Sequence, residues 1–135
     1  MNTAALAFLG DAVYETYVRR RVLESGAVRG DRLHRAAVEY VRAENQGAAM
    51  KALLESLSPE EAALAKRARN RKITSRPRHV DPVEYKWATA FEALVGYLFL
   101  SGNGERMEAF IGDAIEWIEG NHGKRKAEKE EGHEE

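Results

Sequence analysis

The 135-residue sequence contains no cysteine, which excludes a disulfide framework and a cysteine-ligated zinc site. The N-terminus lacks the basic stretch, apolar run and cleavage site of a signal peptide, so we expect none. The longest apolar run, residues 87–100, is too short to cross a bilayer and carries a carboxylate in its middle. These absences predict a soluble, cytoplasmic protein with no membrane partner.

Strand patterns are also missing. Nowhere does an apolar–polar alternation persist through a run of β-branched or aromatic residues. The chain is long enough for one domain with a real core and too short for two. Because residues 121–135 are charged and lack large apolar side chains, we expect a disordered tail there. The sequence therefore predicts one all-α domain over residues 1–120 and a charged tail over residues 121–135.

Helix start and stop signals divide this domain. Ser58 with Pro59 and Glu61 has the pattern of a capping box, Asp81 with Pro82 repeats the same logic, and Asp31 is a good N-cap. The weak stretch 45–47 favours a separate helix up to residue 57. We expect a first helix over residues 3–24 and a second that begins at residue 31 and runs through residue 41. A separate helix follows up to residue 57. The remaining helices are expected over residues 59–70, 82–100 and 105–119, and the last of them ends at Gly120.

The net charge of −1 does not indicate a nucleic-acid partner, but the charge is unevenly distributed. Residues 66–78, here called the basic segment, contain no acidic residue. Its cations are Lys66, Arg67, Arg69, Arg71, Lys72, Arg76 and Arg78. Such a run is commonly a solvated basic face, and it is also the electrostatic pattern of a phosphate-binding surface.

Asp11 and Glu92 are each the single charged residue of an apolar segment, residues 4–13 and 87–100. We expect both segments to be helical and largely buried. A lone carboxylate there loses several kcal/mol of hydration unless a cation or hydrogen-bond donors replace the water. Two such helices that cross could bring both carboxylates to one metal ion. The alternative is that each acid pairs with an arginine or a backbone donor.

Gly10 and Gly96 lie beside or near these acids. A glycine inside a helix costs roughly 1 kcal/mol relative to alanine, so we expect close helix packing to offset that cost. Two carboxylates suit Mg²⁺ or Mn²⁺, because water and phosphate oxygens complete the octahedron of magnesium.

Other acids and aromatic residues have simpler interpretations. Glu15 lies one helical turn after Asp11, and we favour an ion pair with Arg19 over a role as a metal ligand. Asp113 repeats a Gly-Asp-Ala sequence, but its helix is amphipathic and acidic, so we expect it to be solvated. Trp87 and Trp117 are predicted to be core residues.

Two motifs resemble the ribonuclease III family. Residues 6–11, Leu-Ala-Phe-Leu-Gly-Asp, resemble its signature helix L-E-F-L-G-D, and residues 91–94, Phe-Glu-Ala-Leu, resemble its second acidic motif, D-x-x-E-A. The length and the missing double-stranded-RNA-binding domain resemble the Mini-ribonuclease III branch. Ala7 and Thr89 replace two of the four usual carboxylates, as they do in that branch. The resemblance covers about residues 4 to 118.

The resemblance implies a homodimeric helical bundle of the ribonuclease III endonuclease type. It implies that Asp11 and Glu92 are catalytic and hold Mg²⁺ or Mn²⁺ while double-stranded RNA is hydrolysed to 5′-phosphate and 3′-hydroxyl ends. Cutting of both strands implies two subunits, with the apolar signature helix as the dimer surface. The basic segment, together with Asn70, is implied to contact the RNA backbone, since A-form RNA is recognised through shape, phosphates and 2′-hydroxyls.

The implied natural substrate is a stem of the 23S ribosomal RNA precursor, with a ribosomal protein as a candidate helper. The main alternative is a non-catalytic, ribosome-associated RNA-binding module, which the loss of two carboxylates favours and the retention of Asp11 and Glu92 opposes. A third interpretation, a dimerisation module with ion-paired acids, leaves the basic segment unexplained.

Overall fold

The computed structural model describes residues 2–26, 29–72 and 78–133, with side chains described as far as residue 121. In these ranges the chain forms six α-helices: α1 (Thr3–Glu24), α2 (Gly30–Val41), α3 (Ala43–Ala52), α4 (Pro59–Arg69), α5 (Pro82–Leu100) and α6 (Gly104–His133). A single 3₁₀ turn, Leu54–Ser56, joins α3 to α4. These ranges contain no β-strand, and the all-α prediction is confirmed. No helix within them is long and apolar enough to cross a membrane.

Two of the three predicted capping signals, at Ser58 and Asp81, form as expected. The Ser58 hydroxyl accepts a hydrogen bond from the backbone N–H of Glu61, and the Glu61 carboxylate accepts one from the N–H of Ser58. The Asp81 carboxylate accepts hydrogen bonds from the N–H groups of Val83 and Glu84. Side chains thus satisfy N–H groups that lack a partner at the start of α4 and of α5, which fixes where both helices begin.

Three predicted boundaries differ from the structure. The separate helix expected up to residue 57 ends at Ala52, and the 3₁₀ turn follows it. Arg29, not Asp31, is the N-cap of α2, and the Asp31 carboxylate instead accepts a hydrogen bond from Arg35 within the helix. The predicted end of the last helix at Gly120 is wrong, because α6 continues to His133. A glycine ends a helix most readily by adopting a positive φ, as Gly26 and Gly102 do, and Gly120 does not. Lysine, arginine, alanine and glutamate, which are good helix formers, follow it in the sequence.

Helix α5 is the centre of the bundle and packs against α1, α3, α4 and α6. Phe91 on α5 is fully buried between two other aromatic rings: its centroid lies 4.8 Å from that of Tyr14 on α1 and 5.3 Å from that of Phe110 on α6. Trp87 and Trp117 pack against this core but stay half-buried. The fully buried rings therefore tie α1, α5 and α6 together.

Ion pairs fasten the outer helices. The Arg106 guanidinium on α6 donates to the buried Glu61 carboxylate of α4 at 2.9 and 3.0 Å. Arg21 of α1 and the Tyr40 hydroxyl of α2 both donate to Glu119 of α6. Because these partners are far apart in sequence, the contacts hold four helices around α5 in a fixed arrangement.

Candidate active site

Helices α1 and α5 cross with their backbones in contact. A Cβ atom placed on Gly10 would overlap the carbonyl oxygen of Glu92, and one placed on Gly96 would overlap the carbonyl oxygen of Leu6. Only glycine fits at either position, because no side chain can occupy space that the facing backbone fills. The expectation that close helix packing explains both glycines is confirmed.

This crossing brings Asp11 and Glu92 together. Asp11 follows Gly10 on α1, and its carboxylate accepts a hydrogen bond from the protonated carboxyl group of Glu92. Burial, the negative charge of Asp11 and this hydrogen bond raise the pKa of Glu92 to about 9. Two carboxyl groups from two helices thus share one location, where one of them keeps its proton at neutral pH.

The surroundings of the two acids differ from the expectation that both segments are largely buried. Glu92 is half-buried, whereas Asp11 is exposed and belongs to a face of α1 that the chain leaves open. Phe8, one turn before Asp11, is 84% exposed. The apolar composition of residues 4–13 therefore supplies more apolar surface than this chain itself covers.

The paired acids fit a hard divalent cation. Burial and the charge of Asp11 both raise the pKa of Glu92, and a cation would offset both effects and replace the proton between the carboxylates. Among the described residues, no group of three or more histidines, aspartates or glutamates could hold a metal ion. The pair of Asp11 and Glu92 therefore suits Mg²⁺, which needs only one or two protein carboxylates. It does not suit a structural zinc ion, which needs four protein ligands.

The remaining acids of the sequence analysis lie elsewhere or are already paired. Glu15 accepts a hydrogen bond from Arg19 at 3.0 Å, as favoured, and Asp113 is exposed on α6. Thr89, which the resemblance to the family placed at a usual carboxylate position, donates its hydroxyl to the Tyr85 carbonyl oxygen at 2.9 Å. Its hydroxyl is therefore used within α5.

The basic segment is rich in cations that have no acidic partner. Within the described part of the chain, its lysines and arginines form no ion pair, whereas Arg19, Arg21 and Arg106 each bind a carboxylate at 3.0 Å or less. The exposed members are Lys66, Arg67, Arg71, Lys72 and Arg78; Asn70 is also exposed, and Arg69 is half-buried. Arg76 lies outside the described residues. The segment therefore presents net positive charge to an external anion.

Lys51 is a cation beside the basic segment that no sequence pattern had indicated. The Arg69 guanidinium lies 4.9 Å from the centroid of the Trp87 ring, and the Nζ atom of Lys51 lies 5.9 Å from the same centroid. Lys51 is on α3, and no sequence pattern linked it to the basic segment. Its proximity depends on how α3 packs against α5, which a single sequence does not reveal.

Comparison with known proteins identifies the class to which this fold and acidic pair belong. The Ribonuclease III domain family matches residues 4–103, so the chain belongs to the ribonuclease III family, a family of endoribonucleases that act on double-stranded RNA. It is 46% identical over 114 residues to the Mini-ribonuclease 3 of Symbiobacterium thermophilum, with 84% of this chain and 88% of that protein covered. It is 43% identical over 119 residues to the Mini-ribonuclease 3 of Brevibacillus brevis, with 88% and 89% covered.

A solved structure is similar to this chain in both sequence and fold. The crystal structure of a protein from Fusobacterium nucleatum is 34% identical in sequence, with a TM-score of 0.75 over 82% of this chain and 88% of that one. The predicted family, the helical fold and the endoribonuclease class are therefore confirmed. The individual roles of Asp11, Glu92 and the basic segment stay predictions.

Proposed function

We propose that the chain is a divalent-metal-dependent endonuclease that cuts both strands of double-stranded RNA, with Asp11 and Glu92 as its catalytic and metal-binding residues. The observation that carries the proposal is the meeting of these two carboxyl groups at the glycine-lined crossing of α1 and α5, in a chain of the ribonuclease III family. Asp11 is exposed beside the apolar face of α1, where a phosphodiester can approach it.

In this proposal the acidic pair binds the metal ion and the basic segment binds the RNA. Asp11 and Glu92 together hold Mg²⁺, or Mn²⁺ in its place, and Glu92 gives up its proton when the cation binds. When held by Asp11 and Glu92, such an ion would supply a water molecule of lowered pKa and would stabilise charge on the phosphate oxygens. The unpaired cations of the basic segment hold the RNA backbone, because A-form RNA presents mainly phosphates and 2′-hydroxyls. The proposed products carry 5′-phosphate and 3′-hydroxyl ends.

A homodimer follows from the need to cut two strands, because each subunit has one acidic pair. The proposed interface is the exposed apolar face of α1 around Phe8, which shares its side of the helix with Ala5 and Ala12. Asp11 adjoins this face, so two copies paired through it would bring their acidic pairs near one RNA duplex.

The proposed natural substrate is the stem that joins the two ends of the large-subunit (23S) ribosomal RNA precursor, processed in the cytoplasm. A ribosomal protein is the proposed helper that presents this stem. Both follow from the resemblance to the Mini-ribonuclease III branch. The small size of the basic segment supports the need for a helper, since it offers few cations to hold a long RNA stem.

The test is to incubate the wild-type protein with a labelled RNA hairpin carrying a long paired stem, in Mg²⁺, in Mn²⁺ and in EDTA. We expect metal-dependent cleavage of both strands, with ends that polynucleotide kinase labels only after phosphatase treatment. A single-stranded RNA of the same composition should stay intact. A protein that binds several such stems and cuts none of them in either metal would instead be a non-catalytic RNA-binding module.

A further inference from the structure

Two cations from two other helices meet on the indole ring of Trp87. Arg69 at the end of α4 lies 4.9 Å from the ring centroid, and Lys51 in the last turn of α3 lies 5.9 Å from it. Both distances lie within the roughly 6 Å over which the electron-rich face of a ring attracts a cation. One half-buried ring on α5 thus gathers positive charge from α3 and α4 at one place on the surface.

The helix backbone that carries Trp87 is held closely against α3. Helix α3 packs so closely on α5 that a Cβ atom placed on Gly47 would lie 2.8 Å from the Glu84 carbonyl oxygen and 3.2 Å from the Cβ atom of Trp87. Because close packing leaves α3 little room to shift relative to α5, the Cβ atom of Trp87 stays in place against α3. The ring packs against the core from this anchored position, within reach of two long, flexible side chains.

Neither cation is neutralised within the described part of the chain. Arg69 donates to the side-chain oxygen of Asn70 at 3.0 Å, and Lys51 is exposed with no ion pair. Arg20 is a useful contrast: it lies 5.4 Å from the Tyr17 ring, but Glu24 also binds it at 3.6 Å. A cation that a ring orders and no carboxylate neutralises keeps its charge for an external anion.

We infer that Lys51 is a further contact for the RNA backbone, and that Trp87 is a positioning residue that holds Lys51 and Arg69 toward the phosphates of a duplex. The inference rests on the proposed function and extends the basic segment onto α3. Because Lys51 and Arg69 lie over the indole, the ring binds cations and does not need to stack on a base, which suits a substrate whose bases stay paired. Phosphate contacts carry no sequence information, so Lys51 adds affinity without sequence preference.

The competing explanation is that Lys51 only stabilises the C-terminal end of α3 through the helix dipole. The salt dependence of RNA affinity separates the two. Each phosphate contact contributes about 0.9 to the slope of log Kd against log salt concentration for a B-form duplex, and we expect a similar value here. A cation that acts only within the protein contributes nothing to that slope.

The experiment measures the Kd of a labelled RNA duplex at several KCl concentrations in EDTA. Relative to wild type, Lys51→Gln should weaken binding several-fold for duplexes of different sequence and reduce the slope by about 0.9. Lys51→Arg should keep the wild-type slope. Arg20→Gln, the matched control from another ring-bound cation, should change neither. An unchanged slope for Lys51→Gln, while wild type binds and cuts, would overturn the inference and leave the proposed function intact; a wild type that neither binds nor cuts would overturn both.

The positioning role of Trp87 has its own readout. Trp87→Phe keeps a ring face and should retain the wild-type slope, whereas Trp87→Leu should lower it. In the Trp87→Leu background, Lys51→Gln should have a smaller effect on affinity than in wild type, because the ring no longer orders Lys51. Equal effects in both backgrounds would show that Trp87 does not act through Lys51. Thermal unfolding of each variant checks that it folds. If Trp87→Leu does not fold, Trp87→Phe alone tests the role of the ring: a wild-type salt dependence of Kd would support it, and a reduced salt dependence would contradict it.

Discussion

Gly10 of α1 and Gly96 of α5 lie on either side of a helix crossing that leaves no room for a side chain at either position. Each would place a Cβ atom inside the facing helix, on the carbonyl oxygen of Glu92 or of Leu6. The same crossing carries Asp11 and Glu92. The backbone contact that excludes side chains is therefore also what brings two carboxyl groups from different helices to one site.

The first prediction concerns this contact. Gly10→Ala and Gly96→Ala should each lower the free energy of unfolding by about 2–4 kcal/mol, because the two helices must separate to admit a methyl group. Gly112→Ala is the control: no atom lies within 4 Å of its added Cβ, and it should stabilise α6 by up to about 1 kcal/mol. Urea unfolding measures all three. Wild-type stability in Gly10→Ala would contradict the close crossing.

The second prediction follows from the pKa of Glu92, which is raised to about 9 from the ordinary value of 4.5. Between these values the folded protein keeps a proton that the unfolded chain has lost. The free energy of unfolding should therefore fall as pH rises through that window, by at most about 1.4 kcal/mol per pH unit. Glu92→Gln should remove this fall in EDTA, and Mg²⁺ should oppose it in the wild type.

Its control is Glu15→Gln, which removes a nearby carboxylate that is paired with Arg19. Urea unfolding between pH 5 and pH 9 in EDTA should give parallel curves for wild type and Glu15→Gln, and a flatter one for Glu92→Gln. A Glu92→Gln curve parallel to wild type would mean that this carboxyl group does not hold its proton.

The third prediction concerns the pair of Arg106 and the buried Glu61. The hydrogen bonds that Glu61 accepts from Arg106 are the main cause that lowers the pKa of Glu61. The pair therefore stabilises the protein fully above the ordinary glutamate pKa. This contribution is lost as the pH falls through the lowered pKa. Arg106→Met should cost about 2–3 kcal/mol at neutral pH, because Glu61 would stay buried without its partner.

The exposed pair of Arg20 and Glu24 provides the comparison. Their side chains are 70% and 60% exposed, so Arg20→Met should change the free energy of unfolding by less than about 1 kcal/mol. Urea unfolding of both variants at pH 7 and pH 4 measures the difference. Equal effects would mean that Arg106 is no more than a surface charge.

The fourth prediction tests the proposed dimer. Phe8→Glu places a charge in the exposed apolar face of α1 and should convert the protein to a monomer of the 15.1 kDa chain mass in analytical ultracentrifugation. Leu23→Glu introduces the same charge at another exposed apolar residue of α1 and should leave a dimer of twice that mass. A wild type that sediments as a monomer at all concentrations would contradict the dimer.

Local chemistry was readable from the sequence alone. Asp11 and Glu92 stood out because each is a single charge in an apolar segment, and Gly10 indicated the close crossing that brings the two acids together. Capping residues such as Ser58 fixed the start of a helix, since their hydrogen bonds are made with neighbours a few residues away. In each case the information lies within one segment or one pair of segments.

The structure differs from the sequence-based predictions where a residue's conformation or exposure depends on the packing of the whole bundle or on competing weak preferences. Gly120 continues α6 because helix formers follow it and its φ stays negative. Asp11 is exposed because the isolated chain does not cover the apolar face of α1, which composition alone cannot distinguish from a core face. Lys51 joins the cations of the basic segment only through the packing of α3 on α5.

Single-turnover cleavage of a labelled RNA hairpin in Mg²⁺ by folded variants tests whether Asp11 and Glu92 form the catalytic pair. Asp11→Asn and Glu92→Gln should each reduce the rate by at least about 100-fold, because removing either charge removes a metal ligand. Asp113→Asn, in the repeated Gly-Asp-Ala sequence, and Glu15→Gln should cut at close to the wild-type rate. Wild-type cleavage by Asp11→Asn or Glu92→Gln would contradict the account.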